Sequence, residues 1–352
     1  MTIGRAAVLA LLVGACGDDG GAASVDAPPA GADAADADDL LSTWALFTDG
    51  PAQTPAADVV PFEVISPLYA DEALKLRFLR VPAGATIGYD PVARWDFPVG
   101  TVLVKTFAYP DDARVVDGPR RLLETRLLVH DDDGWTPHVF VWDDAQTEAT
   151  RRIAGETLDV AWTDATGAAR TLDYRVPNTN QCLQCHGARG DTHPLGPRTR
   201  QLDRDGQLEE LDARGLLAPS PPPPAERVHL TDPADEAAPL DDRARAYLEG
   251  NCAHCHNATA AAQSTGLRLE LETTTPIDLG VCRSPFSAGP GTGGRAFDIV
   301  PGHPEQSILI FRVSSTEPEL KMPEGPTRTS DAFGVTLLTQ WIDAMTPEGC
   351  TL

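Results

Sequence analysis

Two pentapeptides, Cys182-Leu-Gln-Cys185-His186 and Cys252-Ala-His-Cys255-His256, carry most of the chemistry legible in this 352-residue chain. In each, two thiols stand three positions apart and an imidazole follows the second. Thiols so placed bond the two vinyl groups of a porphyrin and the imidazole takes its iron, so each pentapeptide reads as an attachment site for haem c. The competing reading is zinc, which Cys-X-X-Cys pairs also bind. Zinc has no need of a histidine directly after the second cysteine, and both copies have one. The sequence therefore predicts two covalently attached haems c. Cys182, Cys185, Cys252 and Cys255 are their attachment residues, and His186 and His256 their fifth iron ligands.

An electron-transfer haem needs a sixth ligand, normally a thioether or a second imidazole. Met322 is the candidate for the second haem. It stands in Leu320-Lys321-Met322-Pro323, an irregular stretch poorly suited to core packing, whereas Met345 falls on the apolar stripe of a helix and reads as core filler. For the first haem the possible distal ligand with the most comfortable reach is His229. His193, His303, His130 and His138 read as surface or structural residues, an open sixth position is the alternative, and His254 is expected to point away from the haem it flanks. Loops at Gly196-Pro197 and Gly266-Leu267 are placed to offer a carbonyl to each proximal imidazole. Arg198 and Arg200 are placed either to meet haem propionates or to lie in solvent.

Haem attachment of this kind needs an exported setting, and the N-terminus reads accordingly. Residues 1–15 have a charged Arg5, a short apolar run and small residues before Cys16, the pattern of a lipoprotein signal peptide too short to span a bilayer. Cys16 is the expected lipidation site. Residues 16–39 are Gly, Ala, Pro and Asp with almost nothing to bury, an acidic tether. The expected location is the periplasmic side of a bacterial membrane, with Gly17 favouring the outer membrane. Cys282 and Cys350 form a leftover pair, read most simply as a disulfide, with thiolate ligation of a haem as the alternative. A formal charge of −24 with only three lysines, Lys75, Lys105 and Lys321, speaks against nucleic acid as a partner.

The elements that must position these residues follow from periodicity. Residues 40–178 read as a β-rich antiparallel domain: Thr101 to Phe107, Leu122 to Val129 and Trp135 to Trp142 have strand length and composition, and a hairpin turns around Asp164 to Gly167. Residues 179–218 form a first haem segment and 219–239 a Pro-rich linker. Residues 240–352 read as a second cytochrome c domain, with helices over Asp241–Gly250, Glu305–Val313 and Asp331–Met345. The expected class is α+β: a β-rich antiparallel N-terminal domain followed by a mainly α-helical two-haem cytochrome c region.

The chain resembles a family of proteobacterial two-haem c-type cytochrome lipoproteins, mostly conserved hypothetical proteins. The likeness is carried by Leu41-Ser42-Thr43-Trp44-Ala45-Leu46-Phe47, by Phe97 to Phe107, by Leu123 to Leu128, by Pro177-Asn178 and by Arg245-Ala246-Tyr247-Leu248 before the second motif. The C-terminal part is similar to planctomycete-type cytochrome domains through Pro301-Gly302, Ser307-Ile308-Leu309 and Met322-Pro323. The β-rich part looks weakly like the sheet of beta-type cytochrome c-prime, without a haem motif of its own. Motifs and resemblance together lead to the expectation of a membrane-tethered electron carrier between unidentified exported redox proteins. The alternatives are a di-haem peroxidase, or other haem oxidoreductase, with an open site on the first haem, and the redox subunit of a dehydrogenase or outer-membrane complex.

Overall fold

The computed structural model of the chain describes residues 39–187, 191–286, 288–347 and 349–351. The leader, Cys16 and all but the last residue of the tether lie outside the described residues.

Runs of β-branched and aromatic residues form strands where one side of each can be buried. In chain order these are β1 (Phe47–Asp49), β2 (Thr54–Pro55), β3 (Val59–Pro61), β4 (Leu74–Arg80), β5 (Ile87–Gly88), β6 (Val102–Pro110), β7 (Arg120–Asp131), β8 (Gly134–Trp142), β9 (Ala149–Arg151), β10 (Glu156–Thr163), β11 (Ala169–Val176) and β12 (Leu217–Ala218). Six of them make one antiparallel sheet in the order β3-β4-β6-β7-β8-β9. β10 and β11 pair as a separate hairpin, and β12 pairs in parallel with β5, joining the segment after the first motif to the β-rich part.

One face of the sheet is mostly apolar, with Phe78, Val102, Val104, Leu122, Leu127 and Phe140 in one cluster around a buried, hydrogen-bonded Thr106–Thr125 pair. Each such side chain, fully buried, contributes about 1.5–3 kcal/mol. The opposite face is apolar only towards its two ends. Leu103 and Leu128 join a cluster with Trp95, Phe97 and Leu202 at one end, while Phe107 and Val139 join Trp162 and Tyr174 at the other. Alternation along β6 puts Lys105 on that face between Leu103 and Phe107.

The helices are α1 (Thr179–His186), α2 (Thr199–Leu202), α3 (Gln207–Ala213), α4 (Leu240–Asn251), α5 (Ile308–Val313) and α6 (Ala332–Asp343). Helices α4 and α6 cross closely because Gly334 has no side chain: a Cβ there would fall 2.0 Å from the Tyr247 hydroxyl oxygen. That hydroxyl donates to Asp331 (2.9 Å), which also caps α6 by accepting from the Phe333 N–H, and Trp341 donates to Asp241 (2.7 Å).

The expected α+β class, with a mainly α-helical second half, is overturned: the protein is β-rich. Among the described residues after 178 no α-helix exceeds 12 residues, and residues 252–307 hold only short 3-10 turns. The composition of that stretch explains the difference. Gly266, Gly280, Gly289, Gly293 and Gly294 take positive φ there, and Pro276, Pro285 and Pro290 interrupt any helical ladder. The helix expected over Glu305–Val313 is likewise shortened. Ser307 is extended, its hydroxyl donating to the His303 carbonyl and accepting from the Val300 N–H, so α5 begins only at Ile308.

Asp36–Leu352 forms one compact unit, so the stretches read separately in sequence pack together. Even the Pro-rich stretch is fastened: Leu230 is fully buried against Ile65 and Ala246, and Arg227 pairs with Asp203 and Glu209. Cys282 and Cys350 are joined by a disulfide, with Cα atoms 5.0 Å apart. Closing a loop of 68 residues limits the unfolded chain by about 4 kcal/mol on the chain-entropy account. No helix among the described residues is long and apolar enough to cross a membrane.

Candidate functional site

The first motif lies on α1, whose start is closed by a capping box. Asn178 Oδ1 accepts from the Gln181 N–H, and Gln181 Oε1 accepts from the Asn178 N–H, both at 2.9 Å. Cys182, Cys185 and His186 therefore occupy positions i, i+3 and i+4 of one helix face. The second motif begins where α4 ends, yet its backbone holds the same turn, with the Cys255 and His256 N–H groups donating to the Cys252 carbonyl at 3.1 and 2.9 Å.

Both histidines are held in the tautomer that leaves Nε2 free for a metal. His186 Nδ1 is 2.9 Å from the His193 carbonyl oxygen, which can only accept, so Nδ1 carries the proton. His256 Nδ1 is 3.3 Å from Thr265 Oγ1, whose own proton goes to the Ala262 carbonyl at 2.7 Å, so here too Nδ1–H donates. The acceptors are not the carbonyls expected at Gly196-Pro197 and Gly266-Leu267: one is the His193 carbonyl, three residues before the first pair, and the other the Thr265 hydroxyl, one residue before the second. Burial, reinforced by the nearby Lys105 cation, lowers the pKa of His186 to about 4, and burial does the same for His256. Both imidazoles are neutral, with a lone pair to give.

Each motif opens into its own cavity. The first is lined by Cys182, Cys185 and His186 on one side and by Arg77, Lys105 and Arg126 of the sheet on another. The second is lined by Cys252, Cys255, His256 and Met322. The two cavities share Cys185, His254, Pro323 and Glu324. At the junction the Cys255 thiol points to the Gln184 carbonyl at 3.9 Å, beside Cys185. The neighbouring Cys255 thiol, together with His254, pushes Cys185 down, while the neighbouring Cys185 and burial push Cys255 up. His254 thus lines both cavities, including the second, from which it was expected to point away.

Met322 stands in the second cavity on a loop with few degrees of freedom. Its N–H donates to the Arg312 carbonyl at 3.0 Å. The buried Lys321 ammonium donates to the Pro323 and Gly325 carbonyls and to Thr327 Oγ1, at 2.9 to 3.1 Å. Downstream, Asp71 accepts from the Arg328 and Thr329 N–H groups at 2.9 Å, tying this loop to the wall of the first cavity. Met345 packs against the α4–α6 core.

The histidines considered for the first haem do not line its cavity. His229 is exposed beside Asp203 at 3.8 Å, and His303 is partly exposed near Glu305. His130 stacks on Trp135, His138 lies against Trp44, and His193 gives its carbonyl to His186. Arg198 and Arg200 line neither motif's cavity, and Arg200 is fully buried. Both pair with Glu249 on α4, at 3.2 and 3.3 Å, and Arg200 also with Glu272. This network ties the chain after the first motif to the helix that leads into the second.

Three side chains matter that motif reading passed over. Lys105 is drawn down to a pKa of about 7 by burial and by Arg126 and Arg77. Its signal in sequence was a lone lysine on the inward phase of an apolar strand. His254 was visible only as the variable residue of a motif. Asp298, buried in the second cavity, leaves Oδ2 without a hydrogen-bond partner, and burial pushes its carboxyl up to about 6. Nothing local distinguishes it from other aspartates in this acidic chain.

Two thiols, a neutral imidazole of fixed tautomer and an adjoining cavity at each motif are a donor set that fits covalently attached haem. Comparison with known proteins finds no matching family model, no matching curated protein and no matching solved structure.

Proposed function

We propose that this chain is an exported, membrane-tethered di-haem c-type cytochrome that relays single electrons between redox partners outside the cytoplasm. The observation that carries the reading is the junction of the motifs, where the two cavities share a wall made by Cys185, His254, Pro323 and Glu324. Bound haem supplies a one-electron iron couple; the protein supplies attachment, ligands and surroundings. Cys182 and Cys185 anchor one group, Cys252 and Cys255 the other. His186 and His256 present Nε2 because their Nδ1 protons are committed elsewhere. Met322 adds a thioether to the second site, which favours the higher potential there.

The reading is tested on protein matured with haem-attachment machinery. The expected result is a mass increase of two haems per chain and two low-spin ferric signals that titrate at different potentials, the Met322 site higher. Fewer than two haems, or two matching potentials, would overturn it.

Asp298 adds a pH dependence at the second site. Above a pH of about 6 its carboxyl ionises, against burial and with help from Arg283 and Arg312. A negative charge there favours oxidised iron, so the second potential falls as pH rises through that value, with a slope up to about 59 mV per pH unit for one proton per electron. Potentiometry from pH 5 to 8 should show this slope in the parent and a flat line in Asp298→Asn.

A further inference from the structure

The first cavity contains a group that the relay leaves without a role. Arg77 on β4, Lys105 on β6 and Arg126 on β7 are direct cross-strand partners, so three cations stand in register across one sheet face. Like charges placed opposite one another repel. Two of them are answered: Arg77 by Glu63 at 3.1 Å, and Arg126 by the fully buried Glu124. Lys105 has neither a carboxylate partner nor a hydrogen-bond acceptor among the described residues. Its Nζ lies over the Phe107 ring, 5.4 Å from the centroid. Yet it lines the same cavity as Cys182, Cys185 and His186, and of the surrounding charges it acts most strongly on the His186 imidazole.

An amine without an acceptor, beside two guanidinium groups, is best satisfied by an electrophile that takes its lone pair. Resting on the di-haem reading, we propose that Lys105 Nζ is the sixth ligand of the first haem iron, opposite His186. On binding, the ammonium releases one proton to solvent and the nitrogen pair goes to iron; no oxidation state changes. Two other donors line this cavity: Lys75, whose ammonium donates to the Leu68 carbonyl, and His254, which stands beside Cys185. A group beside an attachment cysteine sits at the edge of the macrocycle and not over its face. The cavity contains no methionine.

The test uses the haem-loaded full chain, with Lys105→Ala and Lys105→Arg alongside the parent. Electron paramagnetic resonance and near-infrared magnetic circular dichroism report spin state and ligand type. The expected result is complete loss of one low-spin signal in both variants, replaced by a high-spin signal, with the Met322 signal unchanged. Added imidazole should return Lys105→Ala to low spin. Lys105→Arg keeps the cation but cannot ligate, so a low-spin first haem in that variant would overturn the proposal. It also decides the matter if the alanine variant fails to fold. A first haem already high-spin in the parent would overturn it too and would favour an open, substrate-binding iron. A parent with fewer than two haems removes the di-haem reading and this proposal with it, whereas two haems with an unaltered variant spectrum removes this proposal alone.

Discussion

Replacing Met322 by alanine will convert the second haem from low-spin to high-spin and lower its reduction potential, while the first haem keeps its spectrum. Met322 lines the cavity that contains Cys252, Cys255 and His256, and Met345, the other methionine beyond residue 1, is committed to the α4–α6 core. Its neighbours Lys321 and Arg312 are already engaged, Lys321 by three acceptors of its own loop and Arg312 by the Leu320 carbonyl. Loss of a thioether ligand moves the potential by a sizeable part of the roughly 0.8 V over which axial ligands set haem potentials. Electron paramagnetic resonance and a redox titration of Met322→Ala measure both effects. An unchanged low-spin signal at the higher potential would mean that Met322 is not on iron. Because the loop is fastened by Lys321 independently of the thioether, the variant should retain its fold.

Removing the carboxylate of Glu249 will have the largest effect on stability. Its side chain is 4% exposed and accepts from Arg198 and from Arg200, which is 1% exposed, while its second oxygen accepts from the Leu271 N–H at 2.9 Å. Glu249→Ala leaves two guanidinium groups without this partner in a buried site. Breaking a buried pair from one side costs about 3–5 kcal/mol, because the remaining charge cannot recover its hydration. Urea unfolding of the parent and variant, compared at equal slope, measures the loss; a change under about 1 kcal/mol would show that water or Glu272 takes over. Since the network joins the chain after the first motif to the helix before the second, the variant should also broaden the spectral signals of both haems.

The geometry of the proposed attachment sites was legible in sequence because it is local. Two thiols and an imidazole at fixed spacing fall on one face of any helical turn, and the structure folds Cys182–His186 into a helix and Cys252–His256 into an equivalent turn. The long strands were legible for the same reason, since alternation in Thr101 to Phe107 and Leu122 to Val129 is a property of neighbouring residues. Helices α4 and α6 were read within one to two residues of their ends from their apolar stripes.

The failures were of another kind. A helical second half was extrapolated from three stripes across residues 252–307, where glycines at positive φ and scattered prolines require a path held by long-range contacts. Arg198 and Arg200 are indistinguishable in sequence from solvent-facing arginines, because Glu249 lies some fifty positions away and only the packing of α4 brings it to them. Lys105 is the sharpest case. Its place on an inward strand phase was readable, but its alignment with Arg77 and Arg126 depends on the register of three strands. Its position in the cavity of His186 depends on where α1 docks on the sheet. Sequence by itself determined which residues bear the chemistry, since covalent spacing sets the donors of each motif. Only the tertiary structure decided which donors meet, because side chains distant in sequence are brought together by burial of the sheet face, strand register and helix packing.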